Sequence, residues 1–223
     1  MKTGCFWIVA VWLTLPQTVQ SAVFSYDITK GDKRGRVEWQ TTKTPEQTVE
    51  LYAFNSAENV RHRAVNDRRM QTVEWTFSNP NDRTNYHVKR IGSRLLIQGM
   101  IKGQTIDASV PVNDLPWYQF HGLSFPRLLA NGEGEIDFFS VRPDNGRVVE
   151  LRATAQGVEE IIVKGQALQA LRVDVRVRGV LAHLGKVSYW FRTSDYLFVR
   201  FQGVSPFGSG QAMVYELAAC EEP

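Results

Sequence analysis

Residues 171–178 read Leu-Arg-Val-Asp-Val-Arg-Val-Arg, and this stretch decides the fold class. Successive side chains of a strand point to opposite faces, so the four apolar residues share one face and the four charged residues share the other. Such a strand belongs to an antiparallel sheet with one face on a core and one toward water. The alternation therefore predicts a sheet whose apolar face has to be covered.

The same period of two recurs along most of the chain, separated by polar turns such as Asn79–Asp82, Lys102–Gln104 and Pro143–Gly146. We count about twelve strands with mostly short connections, and a sheet of that size curls rather than lies flat. The pattern predicts a mainly β fold with one large, curled antiparallel sheet, a half-open barrel.

One segment, Asp114–Asn131, departs from this pattern. Asp114 suits a helix N-cap, Pro116 suits an early helical position, and the large apolar residues that follow have approximately helical spacing. Pro126 is expected to split the segment, since proline interrupts helical hydrogen bonding. We therefore predict a short, broken helix that covers the concave face, either as an ordinary core helix or as a lid over a cavity.

The basic residue Lys2 follows Met1, and an apolar block occupies residues 5–15. Small residues, Ser21 and Ala22, come after it. This order is typical of a secretory signal peptide, and the block is short for a membrane span. We predict a leader at 1–21, a single domain at 22–223 and a periplasmic protein; an uncleaved anchor is the alternative. Removing the leader would leave Cys220 as the sole cysteine, so the domain depends on core packing rather than on a disulfide.

Charge and composition exclude some classes of protein. The net charge is +3, with 43% hydrophobic and 22% charged residues, which is ordinary globular composition. A nucleic-acid-binding domain normally has a much larger basic excess, so we expect no nucleic-acid partner.

The densest basic cluster lies in the ambiguous segment Ala57–Met70, which we interpret as an edge strand and loop. Such a cluster suits an acidic partner or phosphate headgroups, whereas a solvated edge whose charges oppose aggregation is the simpler interpretation. The candidate partner-binding residues are Arg61, Arg63, Arg68 and Arg69.

We find no pattern that indicates catalysis, a metal or a cofactor. Ser124 and Ser205 lack the Gly-x-Ser-x-Gly context of an activated serine. The histidines His62, His87, His121 and His183 are far apart in sequence, without a second ligand at helical or hairpin spacing. The sequence predicts a non-enzymatic protein with no metal site and no cofactor.

Aromatic residues are unusually frequent on the predicted strands. In Val187–Arg192, Tyr189 and Phe191 share one face and Trp190 lies on the other. Either two layers pack on this strand or one face lines a pocket for an apolar ligand. For the second case the predicted ligand-binding residues are Trp117, Phe120, Trp190 and Phe198.

Four stretches carry a resemblance to a known family. They are Leu-Pro-Trp-Tyr-Gln at 115–119, Arg-Pro-Asp at 142–144, Tyr-Trp-Phe-Arg at 189–192 with Asp195, and Tyr-Glu-Leu at 215–217. The chain resembles a family of uncharacterised exported proteins of Gram-negative bacteria, similar in outline to periplasmic lipoprotein carriers. The resemblance implies a half-open β-barrel around an apolar cavity plugged by helices, and it implies no active site.

Two hypotheses follow. In the first, the protein binds a lipid-like ligand or a lipidated partner in the concavity of its sheet. In the second, the core is filled and the protein is an envelope scaffold, docking acidic partners through the cluster at 61–69 or through Arg172, Arg176 and Arg178. A cavity of several hundred cubic ångström beside residues 114–131 would favour the first.

Overall fold

The computed structural model describes residues 20–44, 48–56, 58–179, 185–204 and 212–221. Within them the chain forms fourteen strands, one α-helix and a short 3-10 turn at Pro80–Asp82. The first eight strands are β1 (Gln20–Lys30), β2 (Lys33–Lys43), β3 (Val49–Asn55), β4 (Val60–Asn66), β5 (Thr72–Asn79), β6 (Thr84–Ile91), β7 (Arg94–Ile101) and β8 (Gln104–Pro111). Helix α1 (His121–Ala130) follows, and then β9 (Glu135–Val141), β10 (Val148–Val163), β11 (Gln166–Val177), β12 (Lys186–Arg192), β13 (Phe198–Val204) and β14 (Ala212–Glu221).

All fourteen strands belong to one antiparallel sheet in the order β8-β7-β6-β5-β4-β3-β2-β1-β14-β13-β12-β11-β10-β9. The first and last strands pair in the middle of the sheet, with Tyr26 opposite Leu217. The outermost strands, β8 and β9, do not pair with each other, so the sheet is not closed. Its ends nevertheless approach, since the Tyr86 hydroxyl of β6 donates to the carbonyl of Arg142, just after β9, over 3.0 Å.

The predicted mainly β fold with one curled antiparallel sheet is confirmed, with fourteen strands rather than about twelve. Strand β10 is the longest of the described strands, with 16 residues. A shift in pairing register between Ala155 and Gly157, where Gly157 has a φ of 120°, lets this strand bend without ending.

Strand β11 has the predicted apolar face, and Val173, Val175 and Val177 are buried. The charged face is not wholly exposed, however, because Asp174 is only 5% exposed. Its carboxylate accepts hydrogen bonds from Arg172, Lys186 and Ser188 at 2.7–3.0 Å. These partners compensate its burial and hold its pKa at about 2.

The outer face at β11 is partly covered because the β10–β11 hairpin forms an arm beyond Gly157. Trp190 and Val199 of the sheet are buried there in an apolar cluster with residues of this arm. At the tip, Lys164 forms an ion pair with Asp27 of β1, so the arm reaches across several strands. The arm therefore forms a second layer on one face of β12, while the other face of this strand belongs to the concave core. The arm contributes Ile161, Val163, Leu168 and Ala170 to the outer cluster.

We expect apolar packing, rather than the ion pair, to hold the arm. Asp27→Asn is expected to change the free energy of unfolding by less than about 1 kcal/mol, because both charged side chains are substantially exposed. Ile161→Ala is expected to cost about 2 kcal/mol, because this side chain is 8% exposed. Urea denaturation of the two variants measures both values, and a larger cost for Asp27→Asn would contradict the assignment.

The basic cluster does not lie on an edge strand. Strand β4 pairs with β3 on one side and with β5 on the other, so the edge interpretation is wrong. The alternation of Val60–Asn66 suits an internal strand because Val60, Ala64 and Asn66 are buried while Arg61 and Arg63 are exposed. The arginines suggested an edge strand, whereas they lie on the solvent-exposed face of an internal one.

Helix α1 begins at His121 rather than near Asp114. The preceding residues lie outside the helix, and Trp117 forms a parallel bridge with Phe139 of β9. Residue Phe139 donates its N–H to the Pro116 carbonyl over 3.0 Å, which keeps these residues out of the helix. Pro126 lies inside α1 and does not split it, so the helix is a single one. No helix among the described residues is long and apolar enough to cross a membrane.

The predicted leader falls almost entirely on residues 1–19, outside the described residues, as does His183. Strand β1 begins at Gln20, and Ala22 pairs with Thr41 of β2. The leader at 1–21 and the domain at 22–223 therefore stay predictions.

Candidate functional site

Helix α1 lies against the concave face of the sheet. A close approach at Gly122 permits this, since a Cβ built there would lie 2.8 Å from Phe198 and 2.9 Å from Trp39. Further along α1, Phe125 is 1% exposed and packs on Phe138 and Tyr189. The helix thus fills part of the concavity and is held by aromatic contacts.

Two adjacent cavities remain in the concavity beside the start of α1. Their volumes are about 440 Å³ and 570 Å³, which is within the range of small-molecule sites. Because they share much of their lining, they are two lobes of one site. The shared lining consists of His62, Gln119, Phe120, His121, Pro143, Asp144, Tyr189, Phe201 and Met213.

Each lobe has a distinct wall. The smaller lobe extends toward β2–β5 and is lined by aromatic residues, with polar residues that include Glu58 and Asp82. The larger lobe extends toward β9–β12 and is lined mainly by aliphatic residues of those strands. The aromatic residues particular to the smaller lobe are Trp39, Phe77, Phe198 and Tyr215; the aliphatic residues particular to the larger lobe are Val141, Val149, Leu151, Val175, Val177 and Val187.

His62 of β4 contributes a neutral imidazole to both lobes. Its ring stacks on Trp75 and meets Phe77 and Phe120 edge-on. Burial in these apolar surroundings lowers the pKa of His62 to about 4, because desolvation disfavours the charged imidazolium. At neutral pH this histidine is therefore uncharged.

His121, the first residue of α1, is the second neutral imidazole of the site. Its Nδ1 lies 2.8 Å from the Tyr189 hydroxyl, and its ring stacks on Phe125. Burial lowers the pKa of His121 to about 4, although a backbone hydrogen bond at Tyr118 opposes the shift. Burial also raises the pKa of Tyr189, so the pair is neutral across the physiological range.

Gln119 positions this part of the site. Its Oε1 accepts from the Trp117 indole and from the backbone N–H of Val141, each over 3.0 Å. Its Nε2 donates to the Val141 carbonyl over 2.8 Å. The amide thereby ties the residues before α1 to the end of β9, which fixes where Phe120 and His121 enter the concavity.

The structure brings together two of the four predicted ligand-binding residues. Phe120 lines both lobes, and Phe198 lines the smaller lobe, stacked on Trp39 at 5.6 Å between ring centroids. Trp117 is fully buried against Phe139 and lines neither lobe. Trp190 also lines neither lobe, because it points to the outer face of β12 and donates to Glu159. That these four residues contact a ligand stays a prediction.

The predicted partner-binding arginines lie away from the cavities. Arg63 forms ion pairs with Glu50 and Glu74 at 3.1 Å and 3.3 Å, so its charge is largely compensated. Arg61 lies over the Phe54 ring at 5.1 Å. Arg68 and Arg69 are exposed in the turn between β4 and β5.

Sequence reasoning missed His62, His121 and Tyr189 as members of one site. They come from β4, α1 and β12, and no spacing in the sequence relates them. The available signal was the strand alternation, which places Tyr189 on the face opposite Trp190. Within the described part of the chain, no group of three or more potential metal ligands comes together, and Cys220 is exposed on β14.

Comparisons with known proteins add a likeness in fold. No family model and no curated protein matches the chain. A beta-barrel-like protein of the domain of unknown function DUF1849 from Brucella abortus matches with a TM-score of 0.58 at 9% identity, over 92% of this chain and 98% of that chain. A DUF1329 family protein from Desulfovibrio piger matches with a TM-score of 0.29 at 10% identity, over 92% and 86% of the two chains. A LolA superfamily protein from Nitrosomonas europaea matches with a TM-score of 0.26 at 10% identity, over 93% and 87%.

The first comparison shows a shared fold with a protein of unknown function. At these identities the likeness concerns the fold alone.

Proposed function

We propose that the protein is a non-enzymatic binding protein that holds an apolar or lipid-like ligand, or the acyl chain of a lipidated partner, in the concavity of its sheet. The observation that carries this proposal is the pair of adjoining lobes of about 440 Å³ and 570 Å³ beside α1. Their walls are mainly aromatic and aliphatic, which suits a hydrocarbon chain. The predicted leader is the reason for proposing that this function operates in the periplasm, an aqueous compartment that lipids and lipidated proteins have to cross.

The scaffold hypothesis has less support. It requires a filled core, whereas the concavity retains space of a size that suits a ligand. It also relies on basic residues for docking, and the acidic neighbours of Arg63 on β3 and β5 compensate that charge.

Extraction of the protein from its native envelope, followed by lipid mass spectrometry, tests the proposal directly. We expect a lipid or an acylated peptide to copurify with the folded protein. The matched test in solution is titration with N-phenyl-1-naphthylamine, a neutral dye whose fluorescence rises in apolar sites. Absence of both a copurified lipid and a saturable dye signal would overturn the proposal.

A cavity-filling variant locates the site. Met213 lines both lobes, so Met213→Trp is expected to weaken dye binding at least tenfold by occupying the space that the ligand needs. Met100→Trp is the matched control, because Met100 is 40% exposed on β7 and lines neither lobe. We expect it to leave the affinity unchanged. Equal effects of the two substitutions would argue that the dye binds elsewhere, and thermal melting of both variants verifies that they fold.

A further inference from the structure

The apolar concavity contains a small set of polar atoms whose hydrogen-bonding roles the structure defines. The first is Nε2 of His62. The Trp75 indole nitrogen lies 3.3 Å from His62 Nδ1, and an indole N–H can only donate. Nδ1 is therefore the acceptor, and in the neutral imidazole the proton is on Nε2. Since His62 lines both lobes, this N–H is a donor at the wall of the site.

The second group is the pair of His121 and Tyr189. His121 Nε2 is buried without a hydrogen-bond partner among the described residues. If the Tyr189 hydroxyl donates to Nδ1, then Nε2–H is a free donor and the phenol oxygen can accept. If Nδ1–H donates instead, Nε2 can accept and the hydroxyl can donate. In both cases the pair offers one donor and one acceptor, and a buried polar atom without a partner is costly unless a ligand satisfies it.

Several charged groups near the lobes have partners of their own, although one carboxylate oxygen of Asp82, at the smaller lobe, is buried without a hydrogen-bond partner among the described residues. Arg142 and Asp144 pair with each other at 2.5 Å, and Lys186 pairs with the buried Asp174 at 2.7 Å. Glu58 pairs with Lys30 at 2.7 Å. Among the residues that line both lobes, Asp144 is the charged one and it pairs with Arg142, so the other polar groups, those of His62, Gln119, His121 and Tyr189, are neutral donors and acceptors. Neutral groups suit an uncharged ligand group better than a carboxylate or a phosphate.

We propose that His62, His121 and Tyr189 form a polar station that hydrogen-bonds the carbonyl of an acyl ester or acyl amide whose hydrocarbon chain lies in the two lobes. This inference rests on the proposed function and specifies its ligand class. The carbonyl oxygen accepts from imidazole N–H or from the hydroxyl, while aromatic and aliphatic side chains surround the chain. An acyl glycerol and the acyl chain of a lipidated protein share this chemistry.

The test compares two ligands that differ only at this group. 1-Decanoyl-glycerol has an ester carbonyl, and 1-decyl-glycerol has an ether in its place. Displacement of N-phenyl-1-naphthylamine from the wild-type protein is expected to show five- to twentyfold tighter binding of the ester. A ratio near one would overturn the proposal, and ionised decanoate at pH 8 is expected to bind more weakly than the ester.

Variants then assign the preference to the three residues. His62→Phe, His121→Phe and Tyr189→Phe are each expected to reduce the ratio of ester affinity to ether affinity at least threefold. The ratio cancels any change in affinity for the hydrocarbon chain, which the two ligands share. Tyr189→Phe removes only a hydroxyl, so it keeps the test decisive if a histidine variant fails to fold. His87→Phe is the matched control, because His87 contacts Glu74 on β5 and lines neither lobe. A ratio that survives all three substitutions would contradict the polar station.

The outcome separates the two proposals. If no lipid copurifies and the dye does not bind, the proposed function fails. If the dye binds and the ester has no advantage, only the polar station fails. A decanoylated peptide tested beside the decanoyl glycerol distinguishes the two sources of the carbonyl, and tighter binding of either one supports the assignment.

Discussion

Replacing Phe125 with alanine is expected to lower the free energy of unfolding by about 3–5 kcal/mol, as truncation of a buried aromatic residue does. The side chain is 1% exposed, and it is the main aromatic anchor of α1 on the sheet. Its loss would leave a void between the helix and strands β9 and β12, which the surrounding aromatic rings cannot easily fill. The aromatic rings in contact with it are those of Tyr118, His121, Phe138, Tyr189 and Phe191.

Urea denaturation followed by tryptophan fluorescence measures this loss. Phe54→Ala is the matched control, because Phe54 is only half-buried on β3 and does not contact α1. We expect it to cost less than about 1.5 kcal/mol. If the free energy of unfolding falls no more in the Phe125 variant than in the control, α1 does not depend on this contact. The description of how α1 packs on the sheet would then be wrong.

The same substitution is expected to weaken binding at the cavities. Phe120 and His121 lead into α1, and His121 stacks on Phe125 at 5.2 Å between ring centroids. A loosened helix would no longer hold these two residues at the wall that both lobes share. Stability and ligand affinity should therefore fall together in Phe125→Ala, whereas Met213→Trp should lower affinity alone.

The sheet could be predicted from the sequence because the period of two is a local signal. The apolar residues of β11 occupy the expected face, and the strand order follows chain order from β1 to β8 and again from β9 to β14. The pairing of β1 with β14 could not be read in the same way, since a contact between the two ends of the chain has no local signature. The fold-back of the β10–β11 arm depends on the bend at Gly157 and on an apolar patch around Trp190, which becomes visible only in three dimensions.

The site was predictable only in part, for a related reason. Phe120 and Phe198 were recognisable as aromatic residues on the concave side of their segments. Trp190 lies on the outer face of β12, because the alternation of the strand puts Tyr189 on the inner face. Trp117 is buried against β9 by the segment before α1, where a helix had been expected. His62 and His121 each resemble an isolated polar residue until the fold brings them to one cavity.

Lowering the pH from 6.5 to 4 is expected to destabilise the protein through the two cavity histidines. Their pKa values are about 4 in the folded protein, because burial disfavours the imidazolium, whereas an unfolded chain has a histidine pKa of about 6.5. In this window the unfolded state binds protons that the folded state does not, so the free energy of unfolding falls as the pH falls. The loss reaches up to roughly 3 kcal/mol for each histidine near pH 4, and their contribution does not vary above about pH 7.

Carboxylates act in a different window. Hydrogen bonds and ion pairs hold the pKa values of Asp27, Asp137, Asp174 and Asp195 below their usual range, so their stabilising effect is lost mainly below about pH 4. Denaturation measured at several pH values separates the two effects. The double variant with His62→Phe and His121→Phe should lose most of the slope between pH 6.5 and 4 and keep the steeper loss at lower pH. An unchanged slope between pH 6.5 and 4 would mean that folding does not lower the pKa values of these imidazoles, so that they bind protons in the folded protein within this pH range.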